Sequence, residues 1–149
     1  SVPVLKNSLI DSDLSRFTNS LSILRSSNIS IINALEISAD TISNSYLRQQ
    51  VKSTANKVAE GESLASSLEK IQVIPPLVTQ MIENGERSGR LEEMLEKVSV
   101  YLEDKFQNST KITMNLLEPL IVVFLGMFVA LIVLAILLPL IQLNTLTLN

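Results

Sequence analysis

Residues 81–95 read MIENGERSGRLEEML, and the parsing of this stretch decides the fold. Gly85 and Gly89 lie four residues apart inside a helical pattern, with Glu86, Arg87 and Ser88 between them. Glycine weakens a helix interior and suits its end, so Gly85 is expected where one helix stops. Ser88 is the type of residue that caps the next helix, and Glu92 and Glu93 follow near the positive end of its dipole. GERSG then reads as a tight corner between two helices. Beyond it Leu91, Met94, Leu95, Val98, Leu102 and Phe106 recur on one helical stripe.

Working back from the corner, the same period recurs. Pro75-Pro76 starts the helix that carries Val78, Met81 and Ile82, because proline suits a first turn. Ser63 caps a short helix through Leu64, Leu68 and Ile71, and Gly61 is the stop before it. Asn44 caps a helix with Leu47, Val51, Ala55 and Val58 on its face, and Ser30 caps one with Ile31, Leu35 and Ile42. Leu14, Phe17, Leu21 and Leu24 make the apolar face of a first helix, with Asp11 to Asp13 as its caps. Asn28 tolerates the left-handed conformation that closes it. Residues 1–10, with Pro3 and no clear period, read as a lead-in segment. No period of two marks a strand anywhere.

Working forward, every Lys and Arg lies at or before Lys111, and Leu120 to Ile141 reads LIVVFLGMFVALIVLAILLPLI. Those 22 residues make about 33 Å of helix at ~1.5 Å per residue, enough to cross a bilayer. The segment is apolar all round, whereas a buried core helix of that length shows a polar face. Lys97, Lys105 and Lys111 precede it, and the tail QLNTLTLN carries no basic residue. The bias of basic residues towards the cytoplasmic side puts the N-terminal part in the cytoplasm and the C-terminus on the far side. The expected organisation is all-α: a lead-in at 1–10, a cytoplasmic bundle of six helices over 11–115, a transmembrane helix over 116–143 and a short periplasmic tail at 144–149.

Composition narrows the function. The chain has 149 residues, no cysteine, no histidine and a net charge of −3. Thiolate metal sites and histidine acid–base catalysis are excluded. Mild acidity, no tryptophan and two tyrosines argue against nucleic-acid binding. Glu92, Glu93 and Glu96 lack the spacing of a calcium loop and read as a lysine-paired helix face. No cofactor and no catalytic or metal-binding residue is expected.

MIENGERSGRLEEML resembles the pattern of the type II secretion system F family, inner-membrane platform proteins shared with type IV pilus assembly. The resemblance covers nearly the whole chain. Arg16-Phe17 with Leu21 and Leu24, then Ala34-Leu35, Asn44, Gly61-Glu62-Ser63-Leu64-Ala65 and Pro75-Pro76 stand in the family's order. Leu117-Glu118-Pro119, Leu138-Pro139 and the tail Gln142-Leu143-Asn144-Thr145-Leu146 continue it, the tail looking closer to the secretion branch than to the pilus branch. Asn28 departs from the family's usual glycine. Members of the family carry two related cytoplasmic domains and three transmembrane helices, so this chain corresponds to the second domain and last helix of a longer protein. The resemblance implies a non-enzymatic platform in the bacterial inner membrane that supports pseudopilus assembly. Its implied partners are a cytoplasmic ATPase, inner-membrane assembly proteins, pseudopilins and further copies of itself, and not nucleic acid.

Several residues stand out as candidate sites. Glu86, Arg87 and Arg90 are either a partner-docking surface or the solvated charges of a corner. Gly61, Gly85 and Gly89 are the structural turns. Glu118 and Pro119 mark where the chain enters the membrane, Glu118 as a polar contact or as an interfacial residue and Pro119 as a bend. Gly126 and Ala130 form a small-xxx-small pair that lets a neighbouring helix approach, although small residues are common in such spans. Pro139 lies near the end of the span. One rival is a membrane-tethered carboxylate hydrolase using a metal, which needs acids converging in a pocket. Another is a helical signalling module, which needs a heptad repeat longer than Leu91 to Phe106.

Overall fold

A computed structural model describes residues 2–147, and among them there are six helices and no strand. In chain order they are α1 (Val2–Ser26), α2 (Ile31–Ala39), α3 (Ser45–Ala59), α4 (Leu64–Glu69), α5 (Pro76–Ser88) and α6 (Leu91–Thr147). The chain divides into two compact units, Ser1–Ser109 and Thr110–Asn149.

The first unit closes around one apolar core. α1 contributes Ile10, Leu14, Phe17 and Leu21, all buried and spaced by three or four residues. α2 adds Ala34 and Leu35, and α3 adds Leu47, Val51 and Ala55. Leu64 and Leu68 of α4, Val78 and Ile82 of α5, and Leu95, Val98 and Leu102 of α6 join the core, with Ile42, Ile71 and Ile74 from the connecting turns. α2 packs on α1 and α3, and α4 packs on α3 and α5. α1 lies antiparallel to the start of α6, where two small polar residues bring the backbones together. Ser15 Oγ donates to the Ser99 carbonyl at 3.0 Å, and Ser22 Oγ donates to the Glu92 carbonyl at 2.7 Å.

The ends of these helices follow from local chemistry. Ser30, Asn44 and Ser63 each accept from the backbone N–H three residues on, as their types require. Asn28 has φ 65° and Gly61 has φ 104°, the left-handed conformation that ends a helix. Each is followed by the long closing bond of that motif, from Ile29 N–H to the Leu24 carbonyl and from Glu62 N–H to the Lys57 carbonyl, both 3.1 Å.

The start of α1 differs from the sequence expectation. The helix begins at Val2 and takes in most of residues 1–10, with Pro3 accommodated in its first turn. Asp11 and Asp13 therefore lie inside α1 and do not cap it. Asp13 acts on the turn before α3: its carboxylate accepts from Ser43 N–H and Asn44 N–H, each at 3.1 Å, and pairs with Arg16. It thereby holds the lead into α3 against α1.

In the second unit α6 continues as helix through Pro119 and Pro139. The helix expected after the corner and the expected span are thus one element. Every described side chain from Thr110 to Thr145, Glu118 included, is exposed.

Candidate functional site

The corner is tighter than its glycines suggested, and its parts are redistributed. α5 runs through Gly85 and ends at Ser88. Gly85 is buried, and a Cβ there would meet Met94 Cβ at 2.9 Å and Leu91 Cα at 3.0 Å. The absent side chain is what lets the first turn of α6 seat against α5. Gly89, with φ 70°, is the residue that ends α5. Arg90 N–H closes the turn on the Gly85 carbonyl at 2.9 Å. Ser88 is not a cap for α6: it is the last residue of α5, and its Oγ donates to the Asn84 carbonyl at 2.7 Å. The corner proper is therefore Gly89-Arg90, with Glu92 and Glu93 in the first turn of α6 as read.

The three charged candidates separate in role. Glu86 is half-buried, and its two carboxylate oxygens accept from Leu64 N–H and Ala65 N–H at 2.9 Å each. With Ser63 taking Ser66 N–H at 3.1 Å, the first three donors of α4 are all satisfied. Charge-assisted bonds of this kind are about twice as strong as neutral ones, so Glu86 ties α5 to α4. The expectation of a freely solvated Glu86 is corrected by this contact. Nothing local in the sequence announces it, because the partners lie more than twenty residues away. Arg87 is exposed and pairs with Glu83 one turn earlier at 2.8 Å. Arg90 is exposed at the tip of the turn.

The acids of α6 do not converge. Glu93 pairs with Lys97 at 3.5 Å, and Glu92 meets Arg25 of α1 at 3.5 Å. Among the described residues no group of three potential ligands could hold a metal ion.

The apolar segment of α6 is long and apolar enough to cross a membrane, and none of its most apolar stretch is buried within the chain. Gly126 faces open space, where a Cβ would touch nothing within 4 Å. Pro119 and Pro139 each lack the N–H that would reach the carbonyl four residues earlier, at Asn115 and Ala135.

A family model for type II secretion system (T2SS) protein F matches residues 17–139, a run that takes in the core helices, the corner and most of the apolar segment. The chain belongs to the type II secretion system protein F family. Type II secretion system protein F of Pseudomonas aeruginosa is 39% identical over 97% of this chain and 36% of its own length. The Vibrio cholerae protein of the same name is 33% identical over 98% of the chain and 36% of its length. The type IV pilus assembly protein PilC of Thermus thermophilus is 34% identical over 93% of the chain and 34% of its length. The chain spans about a third of the length of these curated relatives.

Proposed function

We propose that this chain is the membrane-anchored part of a type II secretion platform in the bacterial inner membrane. In this reading the helical unit lies in the cytoplasm and the C-terminus in the periplasm. The platform supports pseudopilus assembly and couples it to a cytoplasmic ATPase, without chemistry of its own. The observation that carries the reading is the family match over residues 17–139, which takes in both the folded helices and most of the apolar segment. The lysines before the span, with none after it, support the orientation.

α6 supplies the mechanical element of the proposal. The same helix holds Leu95, Val98 and Leu102 in the core and continues into the apolar segment. A displacement imposed on the helical unit would pass along that helix into the membrane. Arg87 and Arg90 are the exposed charges through which an acidic partner would dock at the corner, while Glu86 holds the corner in shape. Gly126 and Ala130 offer a close approach to another helix in the bilayer, including that of a second copy.

A second reading, a pilus assembly platform, is favoured by the PilC relatives at 34% and 32% identity. One experiment separates the two. This segment replaces the matching third of protein F in a Pseudomonas aeruginosa strain lacking it, and separately the matching third of PilC. Restored secretion without restored pili supports the secretion platform. Restored pili without secretion would establish the pilus reading instead. Two membrane-inserted chimaeras that restore neither would contradict the platform role.

A further inference from the structure

Two acids two residues apart on α1 are buried in different company. Asp13 has its oxygens filled by two backbone N–H groups and Arg16. The Asp11 side chain is only 6% exposed, yet Lys105 Nζ stands 3.8 Å from it, longer than a hydrogen bond. Lys105 is itself 45% exposed. Asp11 lines a cavity of about 600 Å³ with Asn7, Ser8, Gln72, Val73 and Lys105. Of the residues around this cavity, Asp11 and Lys105 carry charge.

We propose that this cavity is a receptor for an arginine side chain of a partner protein, which displaces Lys105 and pairs with Asp11. A carboxylate at the wall of an open cavity presents two acceptors in one plane. A guanidinium matches them with two parallel N–H donors, whereas an ammonium acts as a point charge. The amide side chains of Asn7 and Gln72 supply further acceptors for the remaining donors. Lys105, on a flexible and half-exposed stem, holds the place until a better-matched cation arrives. Burial also pushes the Asp11 carboxyl up, against the opposing pull of Lys105. A nearly buried acid at the wall of a cavity, with Lys105 beyond hydrogen-bond distance, is placed to take up a further cation. The inference stands whether the chain serves secretion or pilus assembly.

The probe is n-butylguanidinium, titrated into the chain in detergent while the Asp11 carboxyl carbon and the Ser8 and Gln72 amides are followed by NMR. Saturable shifts confined to these groups are expected, with n-butylammonium binding at least about tenfold more weakly. Asp11→Asn, which keeps the shape and removes the charge, should abolish saturation. Lys105→Arg should block the probe by placing a guanidinium on Asp11 permanently, and helical content by circular dichroism establishes that each variant is folded. Equal binding of the two cations, undiminished binding to Asp11→Asn, or no saturable shift in the native chain would overturn the proposal.

Discussion

Residues 1–109 and 110–149 treat apolar side chains in opposite ways. The first unit hides Phe17, Leu35, Leu64, Ile82 and Leu102 almost completely. The second leaves Phe124, Leu131 and Leu140 more than half exposed. Both are helical and both contain many leucines, so leucine content alone does not separate them. The difference lies in periodicity. In the first unit polar residues fill the face opposite each apolar stripe, and folding in water is driven by burying the stripes. In the second, residues 120–141 have no polar face to turn outwards and are long and apolar enough to cross a membrane.

That comparison breaks most visibly at Phe17. Phe17→Ala should cost about 3–5 kcal/mol, because the deleted ring leaves a hole in a closed core. Phe128→Ala, the same change in the second unit, should leave the thermal unfolding of the first unit untouched. Differential scanning calorimetry in detergent reads both, and similar losses from the two would mean that the apolar segment is packed as core.

Gly85→Ala is the next largest. The added methyl meets Met94 Cβ and the Leu91 backbone, neither of which is the free end of a flexible chain. A loss of about 1–3 kcal/mol is expected in denaturant unfolding. Gly126→Ala in the second unit meets nothing within the chain and should be silent in the same measurement.

At the corner, Glu86→Ala removes the carboxylate from the first two N–H groups of α4 and should cost about 0.5–2 kcal/mol. Arg90→Ala should stay within about 0.5 kcal/mol, as surface changes do. Hydrogen exchange at Leu64 and Ala65 checks the assignment directly, since those amides should lose protection in Glu86→Ala and keep it in Arg90→Ala.

These residues also show what is legible in sequence. The caps at Ser30, Asn44 and Ser63 and the left-handed Asn28 and Gly61 are readable because their partners lie within a few residues. So are the stripes, which depend on period alone, and the apolar segment, which depends on length. Gly85, Glu86 and Asp13 are misplaced by the same logic. Gly85 serves a contact with the next helix, Glu86 caps α4 from α5, and Asp13 holds the turn before α3 from α1. A helix-ending glycine and a glycine of close approach look alike until the fold brings the second surface in. Asp11 has a helix-capping identity, but its surroundings come from α6 and the turn before α5.

The smallest effect carries an unusual sign. Burial raises the Asp11 carboxyl above its ordinary value, with Lys105 pulling the other way. The stability gained from its neutral form is present below about pH 4, the unfolded range, and is lost as pH rises through the higher folded value. Asp11→Asn keeps an uncharged group at every pH. The variant should therefore be slightly more stable than the native chain at pH 7 and lose that advantage on acidification. Melting temperatures between pH 3 and pH 7 test this, and an advantage that grew in acid would reverse the assignment.

The proposed topology puts the helical unit in the cytoplasm, the apolar segment in the membrane and Asn144 on the periplasmic side. Because the sequence has no cysteine, single substitutions can be labelled without background. Tyr46→Cys, Leu131→Cys and Asn144→Cys would be probed with a membrane-impermeant maleimide before and after opening the inner membrane of spheroplasts. The account predicts Asn144→Cys labelled in intact spheroplasts, Tyr46→Cys labelled only after opening, and Leu131→Cys protected in both. Labelling of Tyr46→Cys from outside, or of Asn144→Cys only from within, would contradict it.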